Sequence, residues 1–272
     1  MKDFKMNFSV VLVGAGNMGG AMLKGWIANG MNPENVKVID PSPSGDMRSF
    51  LSKSKIWHSE TSKNIAPPDV LVLAIKPQMM GKVLRDLNGL VDENTVVVSV
   101  AAGTTLETIS SAFGEISAIR IMPNTPSLVL RGMSVGCSNT RVTDQQTKNV
   151  DLLMKAIGRI EWVEDEHLIN AVTALSGSGP AYVFHLAECM ANAGEKAGLP
   201  SELAMTLAIE TVAGAGELLR KSEDEPAILR HNVTSPNGTT AAALEVLMED
   251  SGMCQLLDRA VLAAKKRSEE LS

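Results

Sequence analysis

The pattern of apolar and polar residues changes period near residue 163. Before it, short apolar runs alternate with stretches of helical period. The runs cover residues 10–13, 36–39, 70–75, 95–100, 118–122, 133–137 and 160–163. Several are apolar at every position, as strands covered on both faces of a parallel sheet are. Helical stretches fall between them at 18–29, 78–88, 106–113 and 144–157. Strand, helix and strand in that order predict right-handed βαβ units. The last runs lack clear helices between them, which allows the sheet to turn antiparallel there.

After residue 164 the pattern predicts only helices, at 166–175, 180–197, 201–221, 226–230, 239–249 and 252–270. Pro180, Pro200 and Pro226 stand at helix starts, where a missing N–H costs nothing. One helix is apolar on nearly every face, from Leu203 to Leu219. Such a helix needs cover on all sides. A helical domain of this size has little interior, so part of this helix is expected to pack against a second subunit. The chain therefore reads as two domains, 1–163 and 164–272.

Composition narrows the picture. With 272 residues, 3% aromatics and 15 Met, the core must rest on aliphatic side chains. The formal net charge is −6 and the longest basic run is Lys265-Lys266-Arg267. That run ends a helix, where cations suit the dipole, and it makes a poor nucleic-acid patch. Met1 to Phe8 holds no leader-like apolar stretch, and no run is long enough to span a membrane. Cys137, Cys189 and Cys254 have no CxxC spacing and read as core residues in a reducing cytoplasm. The four His show no paired ligand spacing, so no metal is expected.

The candidate chemistry begins at GAGNMG. Gly14, Gly16 and Gly19 form GxGxxG between a strand and a helix. The first glycine permits the turn, the second the approach of a pyrophosphate, and the third close helix–strand packing. The phosphates would meet free N–H groups at the helix start. The next strand ends in Asp40, placed to accept from a ribose 2′-hydroxyl, which favours NAD(H). The following PSPSGDMR offers Ser42, Ser44 and Arg48 to a 2′-phosphate, which favours NADP(H). Both cofactors stay open at this point. Three further strand ends face the same edge: Lys76-Pro77, Ala101-Ala102-Gly103, and Asn124 within MPNTP. The Ala-Ala-Gly end is small enough for a flat cofactor to approach.

In the helical half, LSGSGPAYVF places Ser178 and Gly179 where backbone N–H groups could take an anion. HNVTSPNGTT, residues 231–240, interrupts the helices with four hydroxyl residues and a Gly. Ordinary capping needs one such residue, so a carboxylate or phosphate site is the better reading.

GAGNMG, VAAG, MPNTP, SGSGPAY and TSPNGTT, in that order and spacing, resemble the pyrroline-5-carboxylate reductases along nearly the whole chain. The resemblance implies an α/β Rossmann-like domain followed by an all-α dimerisation domain. It implies reduction of the imine 1-pyrroline-5-carboxylate to L-proline with NADPH or NADH. It also implies a homodimer, with further assembly to a pentamer of dimers. By it, Gly14, Gly16, Asn17 and Met18 resemble the phosphate turn. Ala74, Lys76, Pro77, Asn124 and Pro126 resemble the ribose and nicotinamide wall. Ser235, Gly238, Thr239 and Thr240 resemble the grip on the substrate carboxylate, which a partner subunit supplies. Glu223 aligns with an acid near the imine nitrogen, where it would stabilise an iminium, while Thr240 would donate to the ring nitrogen. Asn237 departs from the family's usual Gly, and Asn tolerates positive φ better than most residues. Two alternatives stay open: a β-hydroxyacid dehydrogenase, although the SGSGPAYVFHLAE connection lacks that class's helix lysine, and an NAD(P)-sensing regulator without turnover.

Overall fold

A computed structural model describes residues 6–271. Met1 to Lys5, most of the stretch read above as lacking a leader, lie outside the described residues. Among the described residues, eight strands form one sheet: β1 (Val10–Val13), β2 (Val36–Ile39), β3 (Trp57–Ser59), β4 (Val70–Leu73), β5 (Val96–Ser99), β6 (Ser117–Met122), β7 (Gly132–Ser138) and β8 (Gly158–Trp162). Their order is β3-β2-β1-β4-β5-β6-β7-β8. The first six run parallel, β7 runs antiparallel to β6, and β8 runs parallel to β7. The chain moves outward one way from β1 to β2 and β3, then crosses back to β4. The crevice at this switch is where open α/β sheets bind ligands.

Successive residues of each strand face opposite layers. Val10, Leu12, Val70 and Val72 point to one core, with Met22, Leu23 and Trp26 of α1 (Asn17–Ala28). Met47 and Leu51 of α2 (Gly45–Lys53) join that core. Val11, Val13, Leu71 and Leu73 point to the other, with Leu84 of α3 (Met80–Asp86) and Ile109 of α4 (Leu106–Phe113). On the first face α5 (Asp144–Lys155) adds Leu153, whose carbonyl accepts from Trp26 Nε1 at 2.9 Å. Thr143 and Gln146 start α5 with a reciprocal capping box.

The sequence pattern missed α2 and β3. Both lie in a stretch whose Pro, Ser and Gly content reads as loop. Ser44 nonetheless caps α2, its Oγ accepting from Met47 N at 3.2 Å. β3 has only three residues at the sheet edge, too few to show a period.

The helical half continues with α6 (Leu168–Val172), a π-helical turn (Thr173–Gly177), α7 (Gly179–Lys196), α8 (Ser201–Lys221), α9 (Pro226–Asn232), α10 (Thr239–Leu247) and α11 (Met253–Glu270). The chain divides into two compact units. One runs to Gly177 and takes up the chain again from Lys265; the other spans Ser178 to Ala264. The sequence division after residue 163 follows the last strand, whereas the compact unit keeps α6 and the π turn beside the sheet. Arg120 on β6 explains part of this. It is 3% exposed and pairs at 2.9 Å with Glu166, which also accepts from Leu106 N at the start of α4.

Within the second unit α7 packs on α8. Ala191, Ala204 and Ala208 are buried there, and a side chain at Gly194 would touch Ala204. Small residues let the two helices approach. The rest of α8 is uncovered: Leu203, Met205, Leu207, Ile209, Leu218 and Leu219 are all exposed. The three cysteines also divide. Cys137 is buried, and burial first, then the Glu166 charge, push its thiol pKa up. Cys189 and Cys254 are exposed in the single chain, which corrects the expectation of three core cysteines. No helix among the described residues is long and apolar enough to cross a membrane.

Candidate active site

The turn after β1 is built for close approach. Gly14 has φ +90°, and a Cβ there would lie 2.6 Å from the Ala74 carbonyl oxygen. A Cβ at Gly19 would run into the Gly14 carbonyl. Gly16 is exposed and has open space where its side chain would be. It also precedes α1 with no side-chain cap. The first N–H groups of α1, from Asn17, Met18 and Gly19, are therefore open to an anion. These features fit a dinucleotide pyrophosphate.

A cleft of about 640 Å³ lies beside this turn. It brings together Gly16, Asn17, Asp40 and Ser42 from the sequence reading. It adds Leu128 and Leu130, which that reading missed. Both are exposed, and Leu130 has φ +58° at the end of the helical turn Thr125–Val129. The signal was the apolar run Leu128-Val129-Leu130, one residue beyond MPNTP and outside any strand or helix period.

The acid at the end of β2 also holds backbone. Asp40 Oδ2 accepts from Ala15 N at 2.7 Å and Oδ1 from Ser42 N at 2.8 Å. One carboxylate oxygen thus holds the turn and the other the chain after β2, while Asp40 also lines the cleft. Ser44 and Arg48, read as phosphate contacts, are also engaged locally. Ser44 caps α2, and Arg48 Nε donates to the Pro43 carbonyl at 2.9 Å.

The other strand ends lie outside this cleft. Ala74 is half-buried beside Gly14, and its N–H donates to the Val13 carbonyl at 2.8 Å. Lys76 and Pro77 are exposed, with Pro77 opening a short 3₁₀ turn. Ala101 is buried, which leaves Ala102 as the exposed alanine. Gly103 has φ +76°, and the Leu271 carbonyl oxygen takes the space of its missing side chain. Its small size therefore serves packing at that point. Asn124 is a junction: Oδ1 accepts from Met133 N at 2.8 Å, and Nδ2 donates to the carbonyl and Oγ of Ser176.

The SGSG stretch, residues 176–179, straddles the boundary between the two units. The π turn Thr173–Gly177 passes into α7 through Ser178, whose backbone is helical at φ −84° and ψ −21°. Ala181 N already donates to the Ser178 carbonyl. Gly179 begins α7 with no side-chain cap on the turn before it. The 231–240 stretch opens. Gly238 precedes α10 with no side-chain cap, so the N–H groups of Thr239 and Thr240 stand free of capping. Asn237 holds φ +56°, and Gly238 N closes the turn onto the Ser235 carbonyl at 3.0 Å. Asn in place of Gly therefore keeps the left-handed turn. Glu223 is exposed beyond the end of α8.

Comparison with known proteins bears on the whole chain. Residues 166–271 match the family model for pyrroline-5-carboxylate reductase dimerisation. Residues 9–103 match that for coenzyme F420-dependent NADP oxidoreductases. The pyrroline-5-carboxylate reductase of Arabidopsis thaliana is 38% identical over 98% of this chain and 96% of its own. The chain belongs to the pyrroline-5-carboxylate reductase family. A reductase structure from Coxiella burnetii superposes with a TM-score of 0.90, at 35% identity, covering 97% of this chain and 98% of that one. The Plasmodium falciparum reductase, solved with NADP bound, has a TM-score of 0.82 at 30% identity, covering 98% of both chains. The α/β domain followed by a helical dimerisation domain is thus the family's plan.

Proposed function

We propose that this member of the reductase family converts 1-pyrroline-5-carboxylate to L-proline, the last step of proline biosynthesis. The observation that carries this reading is the match of both halves, phosphate turn and dimerisation region, to reductases along one chain. When bound, NADPH or NADH supplies a hydride to the imine carbon, and a proton completes the ring nitrogen. The NADP bound to the Plasmodium falciparum reductase supports NADPH as the first cofactor to test.

The chain's own residues bind and orient. The open N–H groups after Gly16 hold the pyrophosphate, with Gly14 and Gly19 keeping the backbone close. Ala74, Lys76, Pro77, Ala101 and Asn124 form or support the wall for ribose and nicotinamide. Ser235, Gly238, Thr239 and Thr240 grip the substrate carboxylate at the start of α10, and Ser178 and Gly179 offer further backbone N–H groups at the start of α7. Thr240 donates to the ring nitrogen of the neutral imine, and once that nitrogen is protonated the Glu223 charge favours the iminium, the better hydride acceptor. Orientation supplies most of the rate, so no nucleophile is needed. The protein works as a cytoplasmic homodimer, assembled further into a pentamer of dimers.

The test is a coupled assay of imine-dependent cofactor oxidation and proline formation with each cofactor. Turnover that requires the imine supports the reading. Tight cofactor binding without imine-dependent oxidation overturns it in favour of a regulator, and oxidation of β-hydroxyacids instead overturns it in favour of that dehydrogenase class.

A further inference from the structure

Asp40 occupies the place where dinucleotide folds commonly keep an acid for the ribose hydroxyls. Its carboxylate is already committed, with one oxygen on Ala15 N and the other on Ser42 N. Its backbone is fixed too. Asp40 N donates to the Ser59 carbonyl at 3.0 Å, and its own carbonyl lies 2.8 Å from His58 Nε2. Edge strand β3 therefore holds Asp40, and Asp40 holds the turn. Ala15 is the buried middle residue between Gly14 and Gly16. The other tie from this turn to β2 is Gly14 N to the Ile39 carbonyl at 2.8 Å. Of the two, the bond to a carboxylate is the stronger kind.

We propose that Asp40 is a positioning residue for the cofactor. It pins the Gly14–Gly16 turn to the end of β2 and so sets where the open N–H groups of α1 point. It does not choose between NADH and NADPH through the ribose. Each of its oxygens already accepts a backbone N–H, so a ribose hydroxyl would find only the remaining lone pair. This inference rests on the reading of the protein as a nicotinamide-dependent reductase.

Asp40→Asn separates the two roles. Were Asp40 the ribose acceptor, losing its charge would weaken NADH and relieve repulsion of a 2′-phosphate, swinging preference to NADPH. A clamp behaves otherwise. The amide offers one acceptor, and its Nδ2 faces a backbone donor.

The experiment measures Kd for NADH and NADPH by calorimetry on the intact protein, together with steady-state kinetics. In Asp40→Asn both Kd values rise about tenfold, as loss of a charge-assisted bond implies, and their ratio moves less than about threefold. The kcat at saturating cofactor and the KM for the imine stay near the parent's. A tenfold swing in the ratio overturns the proposal, as do unchanged affinities. A kcat that falls in step with affinity also overturns it, since general damage to the fold would give that.

His58→Ala is the gentler second variant, keeping the carboxylate and loosening only its backbone. It raises both Kd values by a smaller common factor, and opposite shifts for the two cofactors overturn the idea. A parent protein that binds neither cofactor sinks the functional reading and this inference with it. A parent that binds both, with preference swung by Asp40→Asn, overturns the inference alone.

Discussion

Single residues carry the phosphate turn and the carboxylate loop. Gly14→Ala must hold a left-handed backbone, at a cost of about 1–2 kcal/mol, and place its methyl against the Ala74 carbonyl. Thermal melting should fall and cofactor affinity with it; parent-like binding of the cofactor would contradict the role of the turn. Asn237 is the informative position in the loop, because φ +56° suits Gly as well as Asn. Asn237→Gly is expected to keep the KM for the imine. Asn237→Val, β-branched at positive φ, should destabilise by about 1–2 kcal/mol and raise that KM. Thr240→Ala should raise the imine KM or lower kcat at least about tenfold, by removing a hydrogen bond to the reacting ring; unchanged kinetics would sink the carboxylate-loop assignment. The glycines and the hydroxyl cluster were legible in the sequence, because their residue types are themselves unusual. The work of Asp40 was not. Its partners are backbone N–H groups, one of them 25 positions away, and no side-chain pattern marks an amide.

At the scale of elements, continuous apolar runs announced the central strands, and β7 turned antiparallel where helices between runs gave out. The missed α2 and β3 show the limit: a capped helix behind Pro and Ser looks like loop, and a three-residue edge strand has no period to read. Arg120 was equally hidden, as a charge inside the otherwise apolar run 118–122. Its pair with Glu166 joins β6 to the start of α4, and Arg120→Ala should cost about 3 kcal/mol in chemical unfolding, the low end for a buried pair because the Glu166 side chain is 27% exposed. The contrast is Glu217 on α8. Hydrogen bonds from Arg220, then Lys221, hold its pKa down from an ordinary 4.5 to about 2. A depressed carboxylate stabilises above its ordinary value and loses that effect as pH falls between those limits. The side chain is 44% exposed, however, and solvent screens the pair, so Glu217→Gln should leave the melting temperature at neutral pH close to the parent's.

For the whole molecule, α8 is the telling element. Its apolar residues around much of the circumference were read as needing a partner, and Leu207 is 47% exposed in the single chain. The dimerisation match over residues 166–271 supplies the partner's kind. Leu207→Glu should therefore shift sedimentation from dimer to monomer and lower the melting temperature; an undisturbed dimer would place the interface elsewhere.

The two-unit division also has a consequence for synthesis. Ser268 Oγ donates to Asn170 Oδ1 across 98 positions, and the Leu271 carbonyl fills the space at Gly103. The first unit thus needs the last turns of α11, so a fragment cut at Gly177 would lack part of its own packing. On the ribosome, where domains commonly fold from the N-terminus onward, the nucleotide-binding unit starts first and finishes last. Its closing contacts wait until the whole second unit has emerged.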